Sequence, residues 1–199
     1  MSNKQIHVAV VGATGAVGQQ MIDTLQKRNF PIGKISLLSS SRSAGKQIEF
    51  NGELVTVEEA KPESFEGVDI ALFSAGGSIS KALAPEAVKR GAIVVDNTSA
   101  FRMDENVPLV VPEVNEKDLY NHQGIIANPN CSTIQMVAAL EPIRKAYGLK
   151  KIIVSTYQAV SGAGAAAVEE LNTQTSDLLA GNPVAPSILP VKGAPKHYQ

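Results

Sequence analysis

The chain has 199 residues, of which 44% are hydrophobic and 19% charged, and its net charge is −1. This composition is typical of a globular protein, and no basic run interleaved with aromatic residues points to nucleic acid. The apolar run near the amino terminus is too short for a signal peptide or a membrane span. One cysteine excludes an internal disulfide and favours a reducing compartment, so we expect a cytoplasmic protein that contacts neither membrane nor nucleic acid.

Strand-like apolar runs alternate with helical patterns through the first two thirds of the chain. The predicted elements are a strand at 6–11, a helix at 17–27, strands at 34–39 and 69–74, a helix at 80–90, a strand at 92–96 and extended segments at 107–111 and 124–127. This alternation predicts right-handed crossovers between parallel strands. The predicted fold class is therefore α/β, with a Rossmann-like, doubly wound parallel sheet.

The pattern changes after residue 130. Apolar positions recur with helical spacing from Ile134 to Ala139, residues 151–160 are rich in β-branched side chains, and residues 163–179 have a helical pattern. We predict a helix, a long strand and a second helix there. We therefore expect one domain over residues 1–129 and the beginning of a second, incomplete α+β domain over residues 130–199.

A glycine-rich loop joins the first predicted strand to the first predicted helix. Gly12, Gly15 and Gly18 have the spacing G-x-x-G-x-x-G, which lets a backbone turn tightly and approach a pyrophosphate at the helix start. Glycine-rich turns also serve packing alone, but the strand before and the helix after favour a phosphate loop. The sequence thus predicts a dinucleotide site.

The end of the second strand distinguishes between the two nicotinamide cofactors. Proteins that select NAD usually place an acidic residue here to hold the ribose 2′-hydroxyl. Residues 38–43 read Leu-Ser-Ser-Ser-Arg-Ser and contain no acid. Hydroxyl groups and Arg42 suit a 2′-phosphate, so NADP is favoured; the alternative is a solvated turn with a surface arginine.

The only cysteine, Cys131, lies where the segment ending at Asn128-Pro129-Asn130 meets the following helix. Unpaired N–H groups and the helix dipole favour an anion at a helix start, so a thiolate there is a good nucleophile. The alternative is a buried cysteine that packs as a small hydrophobic residue. No grouping of residues suggests a metal site.

Seven motifs together resemble the bacterial type of aspartate-β-semialdehyde dehydrogenase. They are VAVVGATGAVG at 8–18, SSSRSAG at 39–45, ALFSAGG at 71–77, VVDNTSAFRM at 94–103, VPEVN at 111–115, GIIANPNCSTIQ at 124–135 and TYQAVSGAG at 156–164. The resemblance covers the whole chain, and it implies that residues 1–129 are an NADP-binding domain and that residues 130–199 begin a substrate and dimerisation domain. It implies reduction of β-aspartyl phosphate by NADPH to aspartate semialdehyde and phosphate, in lysine, threonine, methionine and diaminopimelate synthesis, by an enzyme that is a homo-oligomer when complete.

The resemblance also implies roles for individual residues. Cys131 would form the thioester, with helix-start N–H groups and Asn130 stabilising the oxyanion. Arg102 would bind phosphate and Gln158 would contact the substrate. The alternatives are a salt bridge of Arg102 with Asp104 or Glu105, and a structural hydrogen bond of Gln158. The predicted cofactor-binding residues are Gly12, Thr14, Gly15, Ala16, Val17, Ser40, Arg42, Ser43, Ser74, Gly76, Asn97, Ser161 and Gly162.

The family's thiol is assisted by a histidine, and none of the three histidines here matches that motif. His7 opens the first strand, His122 precedes the strand that ends at Asn128, and His197 lies in the irregular tail. The resemblance places the histidine, and an arginine for the substrate carboxylate, in the substrate domain. We therefore expect an amino-terminal portion of the enzyme that binds NADP but does not turn over alone.

Two alternative functions remain open from the sequence. A reductase of another acyl phosphate, such as N-acetylglutamyl phosphate, shares the fold, the phosphate loop and a cysteine after a strand. A non-catalytic NADP-binding module that senses the cofactor belongs to a different class. The cysteine distinguishes the sensor from the enzymes, because a sensor needs no thiol placed beside Asn130 and Arg102.

Overall fold

The structure, a computed structural model, describes residues 5–184 and divides the chain into two compact units between Thr156 and Tyr157. The strands are β1 (Ile6–Val11), β2 (Ile32–Ser39), β3 (Gln47–Phe50), β4 (Glu53–Glu59), β5 (Ile70–Phe73), β6 (Ile93–Asp96) and β7 (Ile125–Ala127). The helices are α1 (Ala16–Lys27), α2 (Gly77–Lys89), α3 (Pro112–Asn115), α4 (Cys131–Tyr147) and α5 (Ala165–Ala180).

The first unit contains a seven-stranded sheet with the order β3-β4-β2-β1-β5-β6-β7. All neighbouring strands are parallel except β3 and β4. From β1 the chain proceeds through β2 toward one edge and then from β5 toward the other. Such a reversal of strand order opens a crevice at the carboxyl ends of the central strands, where ligands bind in folds of this type. The predicted α/β fold is confirmed.

Each face of the sheet has its own hydrophobic core, because side chains alternate along the strands. Val8 and Val10 of β1 pack with Ile22 of α1 on one face. Ala9 and Val11 of β1 belong to the cluster on the other face, which includes Ala84 and Ala87 of α2. The near-continuous apolar run of β1 therefore reflects burial on both sides, as expected of a central parallel strand.

A hairpin at the sheet edge was missing from the sequence prediction. β3 and β4 are joined by Asn51-Gly52, whose φ angles of 51° and 85° are left-handed. Asn-Gly favours this kind of tight turn, so a local signal was available. The charged residues of β3 and β4 hide the apolar alternation, and β3 adds an antiparallel edge to the sheet that we predicted to be parallel throughout.

Two predicted extended segments are not strands. Residues 107–111 contribute only a single bridge between Leu109 and Ala127. The strand predicted over 151–160 is wrong: within residues 5–184 this segment joins no sheet, and its last residue begins a 3₁₀ turn. β-branched composition gives propensity, but a strand also requires a partner. The two helices predicted beyond residue 130 are confirmed as α4 and α5.

The carboxyl ends of the parallel strands align the predicted site residues of the first unit along one edge. Gly12 follows β1, Ser40 follows β2, Ser74 follows β5, Asn97 follows β6 and Asn128 follows β7. Of the helices between residues 5 and 184, none is both long enough and apolar enough to cross a membrane.

Candidate active site

The glycine-rich loop is held against the ends of β1 and β2 by hydrogen bonds. The N–H groups of Gly12 and Ala13 both donate to the carbonyl of Leu38, at 2.8 and 3.1 Å. The Thr14 and Ser39 hydroxyls lie 2.9 Å apart, and Gln19 Nε2 donates to the Ala13 carbonyl at 2.7 Å. The loop conformation is therefore set by β2 as well as by its own sequence.

The three glycines of the loop have different structural roles. Gly12 has a φ of +92°, and a Cβ there would lie 2.9 Å from the backbone of Ser74 and Ala75. Gly18 is buried, and a Cβ there would lie 2.1 Å from the Gly12 carbonyl oxygen. Gly15 is exposed and its Cβ would meet nothing closer than 3.4 Å. Packing thus requires Gly12 and Gly18, whereas Gly15 leaves open space on the outer side of the loop.

The start of α1 suits a pyrophosphate. Gly15 is the N-cap and supplies no side-chain hydrogen bond to the helix, and Ala16 and Val17, which follow it, are exposed. The first N–H groups of a helix have no acceptor within the helix, and an anion satisfies them. A shallow cleft of ≈ 260 Å³ is lined by both Val17 and Asn97, so the predicted cofactor residues after β1 and β6 are neighbours.

The turn after β2 exposes the side chains predicted to select NADP. Residues Ser41–Ser43 form a 3₁₀ turn, with the Ser40 carbonyl accepting from the N–H groups of Ser43 and Ala44. Arg42 is exposed and forms no salt bridge with any of residues 5–184. The guanidinium is therefore available to an anionic group of a ligand.

An acidic residue does lie beside this turn, on a neighbouring strand. Glu59, the last residue of β4, is in register with Ser39, and Lys61 Nζ binds its carboxylate at 2.8 Å. Inspection of β2 alone could not find it, because β4 joins β2 only in the folded sheet. The lysine balances its charge, which keeps this edge compatible with a phosphate.

Two further residues predicted to meet the cofactor lie beyond β5. Ser74 Oγ donates to the Val11 carbonyl at 3.2 Å, which ties the end of β5 to the end of β1. Gly76 is the N-cap of α2 with a φ of +95°, and nothing lies within 4 Å of the position of its Cβ. Ser74 therefore lies beside the glycine-rich loop, and Gly76 leaves open space at the same edge.

Cys131 is the first residue of α4, and its side chain is exposed. The alternative of a buried structural cysteine is therefore wrong. Asn130 is the N-cap, and its Oδ1 accepts from the N–H groups of Ser132 and Thr133 at 3.1 and 3.3 Å. Two of the helix-start N–H groups that we expected at the oxyanion are thus bonded to Asn130, and the amide Nδ2 is the donor that its side chain retains.

Arg102 is held by main-chain carbonyls rather than by carboxylates. Its Nε donates to the Asn128 carbonyl and its Nη2 to the Asn97 carbonyl, both at 2.9 Å. Within residues 5–184 it forms no salt bridge, so the alternative pairing with Asp104 or Glu105 is wrong. Neutral acceptors fix the half-buried guanidinium without cancelling its charge, and one of them belongs to Asn128, three positions before Cys131 in the sequence.

A buried carboxylate supports the loop that carries Arg102, and the sequence reading missed it. Asp96, fully buried at the end of β6, accepts from Ser80 Oγ at 2.9 Å, from the Thr98 N–H at 3.0 Å and from Thr98 Oγ1 at 2.8 Å. Burying a carboxylate is costly unless hydrogen bonds compensate it, and these three bonds do so. The two bonds from Thr98 also fix the turn that follows β6. The available signal was an acid ending an apolar strand.

The remaining predicted residues lie apart from this edge or in the second unit. Gln158 is exposed, and Ser161 and Gly162 lie in a 3₁₀ turn, Val160–Ala163, in the second unit. Their roles stay predictions. His7 lies at the amino end of β1, with Nε2 2.8 Å from Ser36 Oγ, and burial lowers its pKa.

Within the part of the chain that the structure describes, no other histidine lies at this edge. His122 precedes β7, where its Nδ1 accepts from the Gly124 N–H at 3.0 Å, and His197 lies outside the described residues. Neither His7 nor His122 therefore follows a strand at the carboxyl edge. Among residues 5–184, no three His, Cys, Asp or Glu side chains come together so as to hold a metal ion.

Comparison with known proteins identifies the family of this chain. The family described as "Semialdehyde dehydrogenase, NAD binding domain" matches residues 7–122, which is more than half of the chain. The chain belongs to the semialdehyde dehydrogenase family. The family described as "Semialdehyde dehydrogenase, dimerisation domain" matches residues 140–194.

Two relatives match nearly all of this chain. The aspartate-semialdehyde dehydrogenase of Bacillus subtilis is 74% identical over 194 residues, 98% of this chain and 56% of the relative. The solved structure of Vibrio cholerae aspartate semialdehyde dehydrogenase II, complexed with ASA, is 50% identical with a TM-score of 0.87, over 94% of this chain and 56% of that one.

A more distant relative was solved with a cofactor. The aspartate semialdehyde dehydrogenase of Candida albicans with NADP is 30% identical, with a TM-score of 0.61, over 72% of this chain and 48% of that one. The chain thus spans about half the length of the relatives that it matches.

Proposed function

We propose that the chain supplies the NADP-binding site and the nucleophile of an aspartate-semialdehyde dehydrogenase, which reduces β-aspartyl phosphate to aspartate semialdehyde and phosphate. The observation that carries this is the exposed Cys131 at the start of α4, at the same sheet edge as Arg102 and the glycine-rich loop. The 74% identity with the Bacillus subtilis relative supports this substrate over other acyl phosphates. The pathways would be those to lysine, threonine, methionine and diaminopimelate, in the cytoplasm.

The residues at the carboxyl edge fit NADP. The pyrophosphate would bind at the start of α1, where no side chain caps the helix and Gly15 leaves open space. Ser40, Arg42 and Ser43 would hold the 2′-phosphate. Ser74, Gly76 and Asn97 would line the path toward the nicotinamide end. The cofactor roles of Ser161 and Gly162 stay predictions. When bound, NADPH supplies the hydride that reduces the acyl group.

The protein's own chemistry centres on the thiol. Cys131 Sγ would attack the acyl carbon of β-aspartyl phosphate, and the bond from that carbon to the phosphate oxygen would break, leaving a thioester and inorganic phosphate. Arg102, held without a neutralising carboxylate, would bind the departing phosphate oxygens bidentately. Asn130 Nδ2 would donate to the oxyanion, and Gln158 would contact the substrate.

The domain organisation follows from these roles. We propose that residues 1–129 bind the cofactor and that residues 130–199 begin the catalytic and dimerisation domain of a homo-oligomer. The division between Thr156 and Tyr157 in the structure differs from this boundary, because α4 follows directly from the sheet edge and belongs to the first unit. The match of residues 140–194 to the dimerisation domain supports the proposed role of the second part.

The function is tested by following nicotinamide absorbance during phosphate-dependent oxidation of aspartate semialdehyde with NADP. Two proteins are compared: this chain, and this chain joined to the part of the Bacillus subtilis relative that lies beyond the matched region. We expect turnover in the joined protein. N-acetylglutamate semialdehyde serves as the control substrate. Preference for it, or NADP binding without any turnover in the joined protein, would contradict the proposal.

Replacing Arg42 tests the cofactor preference. Because the guanidinium forms no salt bridge with residues 5–184, Arg42→Ala should weaken NADP binding by about 10-fold, the scale of one charged hydrogen bond, while NAD binding stays within about twofold. Lys46→Ala, an exposed cation in the next turn, is the matched control and should change neither. Calorimetric titration measures both affinities, and equal losses for NADP and NAD would remove Arg42 from the 2′-phosphate site.

A further inference from the structure

We propose that Asn128 is a positioning residue, which together with Asn97 aims the Arg102 guanidinium at the phosphate site beside Cys131. The inference rests on the proposed role of Arg102 in binding phosphate. Asn128 directly follows β7, the strand that leads to Cys131, and it forms hydrogen bonds with Arg102 and with Asn97, which follows β6.

Asn128 contacts Arg102 through its main chain and Asn97 through its side chain. Its carbonyl accepts from Arg102 Nε at 2.9 Å, and its Nδ2 donates to Asn97 Oδ1 at 2.6 Å. The Asn97 carbonyl in turn accepts from Arg102 Nη2 at 2.9 Å. The two asparagines and the arginine therefore form a closed ring of three hydrogen bonds, in which each residue contacts the other two.

This ring is anchored at both strand ends. The Asn128 N–H donates to the Asp96 carbonyl at 2.8 Å, and the Asn97 N–H donates to the Phe73 carbonyl at 2.9 Å. The buried Asp96 side chain fixes the turn at Thr98 by accepting hydrogen bonds from its N–H and its hydroxyl. The backbone carbonyls that hold Arg102 consequently depend on two adjacent strands, β6 and β7, keeping their relative position.

The side-chain bond of Asn128 is the only part of this ring that can be removed without deleting an acceptor of Arg102. Two of the five guanidinium N–H groups are used by the carbonyls, and three remain to meet an anion. A flexible arginine binds a phosphate less well than a preorganised one, because ordering the side chain then costs entropy at the moment of binding. Loss of the Asn97–Asn128 bond should therefore weaken the attraction of anions to the Arg102 guanidinium.

The test compares two alkylating reagents of similar size at Cys131, the only cysteine of the chain. Iodoacetate is an anion and iodoacetamide is neutral, so the ratio of their rate constants reports the positive charge near Sγ. At low ionic strength we expect Arg102→Gln to lower this ratio about threefold, the scale of a Coulomb attraction between solvated unit charges. Asn128→Ala should lower it about twofold.

Further variants separate positioning from general loss of structure. Asn97→Ala removes the same bond from the other partner and should match Asn128→Ala, and adding Asn128→Ala to Arg102→Gln should lower the ratio no further. Asn106→Ala, in the exposed part of the same loop, is the control and should leave the ratio unchanged.

Two results would overturn the inference, and they can be told apart. If Arg102→Gln lowers the ratio but Asn128→Ala and Asn97→Ala do not, the asparagines do not position the arginine, while the proposed function stands. If Arg102→Gln leaves the ratio unchanged, Arg102 is not at an anion site, and its role in the proposed function fails as well.

Discussion

Cys131→Ser should abolish turnover in the protein joined to the remaining part of the Bacillus subtilis relative. A serine hydroxyl at this position is a far weaker nucleophile than a thiolate, so no thioester would form at a useful rate. Removing the nucleophile of a covalent enzyme costs on the order of 10⁴-fold or more in rate. The initial rate of NADPH formation, with aspartate semialdehyde, NADP and phosphate, measures this loss.

The same variant should keep its fold and its cofactor affinity. The thiol is exposed at the first position of α4, and serine is tolerated at helix starts. Ala139→Ser, two turns later on an exposed position of the same helix, introduces the same hydroxyl and should retain full activity. A Cys131→Ser protein that keeps more than about a hundredth of the rate would exclude the covalent mechanism, and one that loses NADP would place the thiol in the cofactor site.

Gly18→Ala should have the largest effect on stability of any single methyl group added to the glycine-rich loop. The new Cβ would lie 2.1 Å from the Gly12 carbonyl oxygen and 2.9 Å from the Ala13 Cα, so the backbone of the loop or of α1 must move. Overpacking of this kind costs about 3 kcal/mol or more when backbone, rather than a side chain, has to shift. Urea unfolding followed by circular dichroism measures the loss, and NADP affinity should fall with it because the loop is displaced.

Gly15→Ala is the matched variant, because it adds the same methyl group where the nearest atom is 3.4 Å away and φ is −81°. Its free energy of unfolding should change by less than about 1 kcal/mol, the usual cost of alanine at an N-cap. NADP affinity should nevertheless fall, since the methyl group would stand between the loop and the pyrophosphate. Equal destabilisation by the two variants would contradict the packing described here, and unchanged affinity in Gly15→Ala would move the pyrophosphate elsewhere.

Much of the site was predictable because its signals are local. β1 has the predicted bounds, and α1 begins one residue before the predicted start. A buried run, a glycine-rich turn and an amphipathic helix are each defined by residues only a few positions apart. The position of Cys131 at a helix start was predictable for the same reason, since Asn130 is a preferred N-cap residue and apolar spacing follows it.

The errors concern elements whose structure depends on distant partners. The segment 151–160 has the composition of a strand but joins no sheet within residues 5–184. β4 was missed because its charged residues mask the alternation, yet it pairs with β2 and brings Glu59 beside Ser39. Strand pairing is decided by contacts between remote segments, so propensity alone predicts neither the unpaired segment nor the added strands.

The sequence by itself determined the α/β order, the phosphate loop, the absence of an acid in β2 and the placement of the cysteine, because each depends on spacing within one element and its neighbouring turn. Only the tertiary structure decided how Arg102 is held, since its acceptors Asn97 and Asn128 lie on different strands, 31 residues apart. Hydrogen bonds between strand ends exist only once the sheet has formed. The uncancelled charge beside Cys131 is therefore a property of the fold rather than of any motif.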